Sequence, residues 1–508
     1  MEDAPPSSRR ARREQAVATG EIDAPTGTGT DASDADTPDT DILRADDAVA
    51  SVLRPTPTSA PAGRVALGWI DEDAVAARLS PQDLTSSTHP YAAAYPDLLA
   101  RRPRRSPVRA GVVAPVLGTL GLLGAYAATT LLWPLYAVAP AVETVAIADI
   151  TSPATAVVWP TEGSAAIGVA GFDGSPATTT DAVPMASITK LVTALMIVEE
   201  LPLSVGESGP EFSFTARDRQ TYYNYLAADE SALNVPVGGT LTEYQMLQGI
   251  LIGSAGNYTD HLASTIWPTD TVFAAAATNW LSRHNLTGIT VVEPTGIESA
   301  NVADPASLIT LARYAMADPV IAEIVRTPSV TLPGAGEVVN TNDLLADPEV
   351  VGLKTGTLYG AYNLLAAKEI TVGDTTVRVY ATALAQTSDE ARDSETARLL
   401  SDVAAEVAQP RVLPAGTIAG VVTTAWGATA NMVTDDEVSL LLWNGATAAV
   451  TSDLALGDAR EANDTVGSIS TKGPLGTAST GVHLTADIPG PDALWRLTHP
   501  LELFGLVD

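Results

Sequence analysis

From Ala110 to Leu132 the chain runs for 23 residues without a charged side chain, and most of them are apolar. A helix crossing the hydrocarbon core of a bilayer needs roughly 20 such residues. Directly before the run stand Arg101, Arg102, Arg104, Arg105 and Arg109. A buried helix of a soluble domain can share this composition, but the arginine flank favours a membrane span. Positive flanks stay on the cytoplasmic side, which places everything beyond about residue 134 outside. A cleaved leader is the competing reading, since Ala137-Val138-Ala139 has the small residues of a cleavage site. Secretory leaders are only ~15–30 residues long, however, and this one would be far longer. The expectation is an uncleaved single-pass anchor in the cell membrane (residues 101–134, flank included), with the N-terminus cytoplasmic and the rest extracytoplasmic.

Residues 1–100 are rich in Ala, Asp, Pro, Ser and Thr and poor in aromatics, the composition of a disordered acidic tail. What such a tail contacts is left open. The net charge of the chain is -32, and a surface this acidic repels nucleic acid. With no cysteine, disulfides, zinc thiolates and a cysteine nucleophile are excluded. The five histidines, His89, His261, His284, His483 and His499, show no metal-ligand spacing. No metal and no cofactor is expected.

Beyond the apolar run, Ala154–Trp159 and Ala165–Ala170 read as strands. Leu191–Glu200 reads as an apolar helix. Thr240 and Glu243 form a capping-box pattern ahead of a helix over 244–252. Asp270 is positioned to cap a helix over 271–284, and Asp304-Pro305 to open one over 306–316. Residues 350–357, 363–370 and 375–384 predict three strands of an antiparallel meander, closed by a helix over about 388–407. Residues 411–508 alternate Val, Thr, Leu and Ala with turn residues and predict a small all-β module without a helix.

The chemistry concentrates where Ser187 precedes Lys190 by three residues at the start of the apolar helix. Neighbours at i and i+3 share a helix face, so both side chains can enter one cleft. A serine hydroxyl attacks only when a base takes its proton, and a desolvated lysine can serve because burial disfavours its charged form. The plainer alternative makes Ser187 a helix cap and Lys190 a solvated residue. The rest of the sequence weighs against it. The chain holds only four lysines, Lys190, Lys354, Lys368 and Lys472, and Lys354 opens Lys354-Thr355-Gly356 on a predicted strand. Between the two lies Ser254-Ala255-Gly256-Asn257.

On these motifs, residues 145–408 resemble the low-molecular-mass penicillin-binding proteins, the serine D-alanyl-D-alanine carboxypeptidases. Met185–Leu195, Pro294-Thr295-Gly296-Ile297, Asn340–Leu345, Gly352–Thr357 and Tyr362-Asn363-Leu364 carry the resemblance. It implies an α+β fold of the penicillin-binding/β-lactamase type, an antiparallel sheet flanked by helices, followed by a β domain over 411–508. It also implies a penicillin-sensitive acyl-enzyme mechanism on peptidoglycan stem peptides, with β-lactams as inhibitors. Ser187 would be the nucleophile, Lys190 its base and Ser254 a proton relay. The backbone N–H groups of Ser187 and Thr357 would form the oxyanion hole. Lys354 and Thr355 would meet the terminal carboxylate, and Gly356 would let substrate lie flat on the strand. The family's second motif is Ser-x-Asn, and here Gly256 occupies the asparagine position while Asn257 stands one residue late. Asn257 is retained as a substrate-binding candidate, with helix capping as its alternative.

Three other readings stay open: a D,D-endopeptidase with the same chemistry, a non-catalytic cell-wall-binding scaffold, and a β-lactamase. The last requires a deacylating glutamate followed four residues later by asparagine. Glu293 lies in about the right region, but position 297 is Ile, so Glu293 reads as a loop residue.

Overall fold

The computed structural model describes residues 110–507. The acidic tail over 1–100 and the arginine flank over 101–109 lie outside the described residues. Helix α1 (Ala110–Leu132) is a single uninterrupted helix despite Pro115. By length and composition its Gly111–Leu132 stretch can cross a membrane. Residues 110–124 are the described part of one unit of the chain, and residues 125–507 form the other.

After a 3-10 turn at Tyr136–Val138, the second unit begins with two short strands, β1 (Ala141–Thr144) and β2 (Ile150–Thr151). Residues 154–159 form no strand, contrary to their β-like composition. They run extended past a later helix, where Thr155 Oγ1 and the Ala156 N–H donate to Glu406 at 2.6 and 3.0 Å, without a neighbouring strand to pair with.

Strand β3 (Ser164–Val169) opens the next domain, followed by a 3-10 turn at Ala186–Ile188 that leads into α2 (Thr189–Glu200). A helical lobe follows: α3 (Ala216–Ala227), α4 (Glu243–Leu251), α5 (Gly256–Ile266), α6 (Asp270–Arg283), α7 (Pro305–Ala317) and α8 (Pro319–Val325). Then come the long strands β4 (Val350–Leu358), β5 (Ala361–Val372) and β6 (Thr375–Gln386), and helix α9 (Asp389–Val407), capped by Ser388. The sheet order is β4-β5-β6-β3, antiparallel throughout.

Both faces of this sheet are buried. Ala165, Ile167 and Val169 of β3, with Val377, Val379 and Ala381 of β6, face Leu399, Leu400 and Val403 of α9. The intervening Ala166 and Tyr380 face the helical lobe, as the two-residue period of a strand requires. Helix α2 is buried from Thr189 to Ile197, so it is the central helix of the lobe. Each of its buried Leu and Ile side chains contributes roughly 1.5–3 kcal/mol over exposure.

Asp304 caps α7 as its sequence predicts, accepting from the Ser307 N–H at 2.8 Å. The cap of α6 is Thr269, one residue earlier than expected. The capping box of α4 is displaced by two residues, to Thr242 and Gln245. Thr240 Oγ1 instead donates to Glu211 Oε2 at 3.0 Å, where Thr240–Thr242 pairs as a short strand with Glu211–Ser213.

Past α9 the chain forms β7 (Ile418–Thr423), β8 (Thr429–Thr434), β9 (Thr447–Leu454), β10 (Thr465–Gly473) and β11 (Gly476–Leu484). These join β1 and β2 in one seven-stranded sheet, ordered β1-β7-β8-β11-β10-β9-β2. The β domain therefore draws strands from residues 141–151 as well as from 411–508. It also ends in two short helices, α10 (Ala493–Thr498) and α11 (Pro500–Leu503), where only β structure was expected. Asp492 caps the first, and Pro500 occupies the opening position of the second.

Candidate active site

Ser187 sits in the 3-10 turn and Lys190 in the first turn of α2. The i and i+3 geometry holds: Lys190 Nζ lies 2.9 Å from Ser187 Oγ. A second Lys190 N–H donates to the Thr295 carbonyl at 2.6 Å. Lys190 is 2% exposed, and burial lowers its pKa from 10.5 to about 8, against the opposing pull of Glu293, Glu230 and Asp260. At pH 7 roughly a tenth of such an amine is neutral, against fewer than one in a thousand for a solvated lysine. With one hydrogen committed to Thr295, the lone pair of the neutral amine is available to the serine.

The turn that presents Ser187 is compressed. Ala186 adopts φ +50°, a strained value for a residue with a β-carbon. Two glycines close on it. A β-carbon at Gly296 would stand 2.0 Å from the Ala186 carbonyl oxygen, and one at Gly356 would stand 2.7 Å from the Met185 oxygen and 3.1 Å from the Ser187 nitrogen. Gly356 thus brings β4 against the nucleophile's own backbone, a tighter demand than room for a ligand alone.

The loop over 293–301 is the floor of this turn. Glu293 is 1% exposed. Its carboxylate accepts from the Thr295 N–H at 2.7 Å, Thr295 Oγ1 at 2.6 Å, the Gly296 N–H at 2.6 Å and Asn301 Nδ2. The neighbouring Pro294 carbonyl accepts from Thr193 Oγ1 of α2 at 2.7 Å. Glu293 therefore organises the loop whose Thr295 carbonyl orients Lys190.

On β4, Lys354 is 1% exposed. Burial, then the positive charges of Lys190 and Arg392, hold its pKa well below the ordinary lysine value. Its ammonium donates to the Thr355 carbonyl at 3.2 Å, and Thr355 Oγ1 lies 2.6 Å from Thr341 Oγ1. Thr357 is exposed and opposite Tyr362 of β5. Asn363 donates to the Pro184 carbonyl at 3.1 Å and accepts from the Ala385 N–H at 2.7 Å, tying the sheet to the segment that leads into the nucleophile.

The second motif lies between α4 and α5. Ser254 is 4% exposed and has φ +55°. Asn257 is buried, with its amide oxygen accepting from the Leu233 N–H at 3.0 Å and its nitrogen donating to the Leu233 carbonyl at 2.8 Å. Both ends of that amide are engaged by one residue of the covering segment. Gly256 has no room for a side chain, because a β-carbon there would lie 2.5 Å from the ring of Tyr225. Tyr225 in turn hydrogen-bonds Asp260.

Sequence reasoning did not single out Thr295, Tyr225, Glu230 or Asp260, and it gave Glu293 no role at the site. The Pro294-Thr295-Gly296 signature was the available signal for the loop. Nothing local marks Glu230 or Asp260 as neighbours of Lys190.

The family model for D-alanyl-D-alanine carboxypeptidase matches residues 177–384. The chain is 30% identical over 182 residues to the D-alanyl-D-alanine carboxypeptidase DacB2 of Mycobacterium tuberculosis (strain ATCC 25618 / H37Rv), covering 34% of this chain and 57% of that protein. The chain thus spans just over half the length of this curated relative. Among solved structures, the DD-transpeptidase of Streptomyces K15 is 24% identical, with a TM-score of 0.42 over 48% of this chain and 98% of that one. The D-alanyl-D-alanine carboxypeptidase DacD from Francisella tularensis is 16% identical, with a TM-score of 0.44 over 67% and 97%.

Proposed function

We propose that the protein, whose residues 177–384 match the family model for D-alanyl-D-alanine carboxypeptidase, is a penicillin-sensitive serine carboxypeptidase acting on peptidoglycan stem peptides. The observation that carries this reading is the buried Lys190 amine 2.9 Å from Ser187 Oγ.

Ser187 Oγ attacks the carbonyl carbon between the last two D-alanines as Lys190 Nζ takes its proton. The oxyanion is met by the backbone N–H groups of Ser187 and Thr357. Collapse breaks the peptide bond, and the departing amine regains a proton by way of Ser254. Water then attacks the ester, giving the shortened peptide and restoring Ser187. Lys354 and Thr355 bind the terminal carboxylate. Burial, then the positive charges of Lys190 and Arg392, disfavour the charged form of Lys354, and an arriving carboxylate favours its protonation. Asn257 holds the 228–237 segment through Leu233. Helix α1 anchors the protein in the cell membrane, with the N-terminus cytoplasmic and the catalytic domain outside.

The full chain in detergent is treated with a fluorescent β-lactam, with Ser187→Ala as control. Stable labelling of the wild type alone, with D-alanine release from a pentapeptide, is expected. No labelling overturns the nucleophile assignment. Rapid label loss with drug hydrolysis identifies a β-lactamase, and labelling without peptide turnover identifies a scaffold. Cleavage of crosslinked dimers in preference to pentapeptides identifies an endopeptidase.

A further inference from the structure

The position two residues beyond Ser254 is filled by a side chain from another helix. Gly256 opens α5, and a β-carbon there would lie 2.5 Å from Tyr225 Cε1, 3.1 Å from Tyr225 Cδ1 and 3.3 Å from the Ser231 carbonyl oxygen. An asparagine amide projecting from this point would overlap the Tyr225 ring. The ring therefore stands where the Ser-x-Asn pattern would place a substrate-facing amide.

Tyr225 belongs to α3, which has no fully buried residue. Other bonds already fasten that helix and the segment after it. Asp218 meets His261 at 3.3 Å, and Phe214 stacks on His261 with ring centroids 4.7 Å apart. Further on, the Ser231 carbonyl accepts from the Gly256 N–H at 2.8 Å, Leu233 exchanges two hydrogen bonds with Asn257, and Tyr258 Oη donates to the Asn234 carbonyl at 2.7 Å. The 214–234 stretch is thus tied to α5 at both ends without Tyr225.

The ring also lies beside the reacting groups. Tyr225 Oη donates to Asp260, one turn along α5 from Gly256, and the Tyr225 carbonyl accepts from the Glu230 N–H at 3.0 Å. Glu230 and Asp260 both pull on the buried Lys190 amine, raising its pKa against burial. Tyr225 is bonded to each of these two residues, so it borders the cleft that Lys190 and Ser187 share.

The two side chains offer different chemistry. An asparagine amide has two donor hydrogens and a carbonyl; a tyrosine has one donor, and here it is committed to Asp260. Toward a ligand Tyr225 presents its ring and a hydroxyl lone pair. A ligand carbonyl placed there meets no donor, and burying an unmatched polar group is costly, whereas apolar atoms pack well on an aromatic face.

We propose that Tyr225 is a specificity-determining residue, its ring taking the place of a motif asparagine against the acyl side of the ligand and cancelling the advantage that an amide beside the reacting carbonyl otherwise confers. The proposal rests on the serine acyl-enzyme reading above. Acyl donors with small apolar or hydroxyalkyl groups at that position are accepted as readily as acylamino ones.

Acylation of Ser187 in the detergent-solubilised full chain is followed with benzylpenicillin, which carries an acylamino group, and with imipenem, which carries a hydroxyethyl group instead. The ratio of the two second-order rate constants is compared between variants, so intrinsic reactivities cancel. Tyr225→Ala combined with Gly256→Asn frees the space and supplies the amide, and the ratio is expected to shift about tenfold towards benzylpenicillin, the worth of one good hydrogen bond. Gly256→Asn alone, with the ring in place, is expected to slow both drugs without that shift. A folded double variant whose ratio stays within about twofold of wild type overturns the proposal, since one hydrogen bond is worth more than that. Where the double variant does not fold, 3-fluorotyrosine at position 225 of the otherwise wild-type chain reads the same contact. Its fluorine resonance is expected to move on acylation by benzylpenicillin, while the same label at position 223, where Tyr223 is 53% exposed, stays put. An unmoved resonance at position 225 overturns the proposal. Failure of both drugs to acylate the wild type defeats the acyl-enzyme reading and this one with it.

Discussion

Replacing Glu293 with glutamine isolates the charge that holds Lys190 back. Glu293 is the foremost of the negative groups that raise the Lys190 pKa against burial, ahead of Glu230 and Asp260. Removing it stabilises the neutral amine, so the folded pKa falls from about 8. An opposite charge at close range moves a pKa by ~1–3 units. The low end applies because five loop donors already share this carboxylate; one unit is about 1.4 kcal/mol. A fall to about 7 raises the neutral fraction at pH 6.5 from about 3% to about 24%, near eightfold, and changes little at pH 9. The loop suffers at the same time. Whichever way the new amide faces, its NH2 meets a donor at Thr295 or at Gly296 and Asn301, at a cost of ~1–3 kcal/mol. Single-turnover acylation by a chromogenic β-lactam between about pH 5.5 and 10 separates the effects. Loop damage lowers the plateau, and charge loss moves the midpoint to lower pH. A lowered plateau with an unmoved midpoint, or a midpoint that rises, refutes the electrostatic account.

Two further substitutions probe buried groups away from the nucleophile. Glu243 is fully buried, neither carboxylate oxygen has a hydrogen-bond partner, and burial raises its pKa from 4.5 to about 7. A carboxyl with a raised folded pKa stabilises the fold below its unfolded value and loses that contribution as pH climbs from about 4.5 through 7, up to about 3 kcal/mol. Glu243→Gln is therefore expected to melt higher than wild type at pH 8 and equally near pH 4.5; parallel melting curves across that range contradict this. Asn257→Ala strips both backbone partners from Leu233 and is expected to cost ~1–3 kcal/mol, with faster amide exchange over residues 228–237. A substrate-binding Asn257 would instead raise KM with melting and exchange unchanged.

Much of the site was legible because its chemistry is local. The three-residue spacing of Ser187 and Lys190, and Lys354 on a strand bounded by turn residues, depend on helix and strand periods that the sequence carries directly. What stayed hidden depends on distant partners. Strand β2 is two residues long and pairs with Thr447 and Ala448, some 300 positions on, and no local pattern announces such a pairing. Thr240 has the chemistry of a cap, but an edge supplied by Glu211–Ser213 claims it first. Asn257 stands where a displaced substrate ligand would, and nothing local announces that Leu233, 24 residues earlier, engages both ends of its amide. Helices α10 and α11 were submerged in a β-rich texture, and Pro500 divides their apolar signal into pieces too short to register.

The route of the chain through the seven-stranded sheet bears on how freely the domain carrying Ser187 can move. The sheet takes β1 and β2 before the domain carrying Ser187 begins and β7 to β11 after it ends, so that domain is an insertion held at both ends by one platform. Only residues 133–140 separate α1 from β1, a leash of at most ~28 Å when fully drawn out. A single flexible stalk would let the cleft sweep a wide volume of wall. Two strands of chain returning to one sheet remove most of that freedom relative to the sheet. On the function proposed above, lengthening residues 133–140 changes the population of stem peptides within range without altering the chemistry at Ser187.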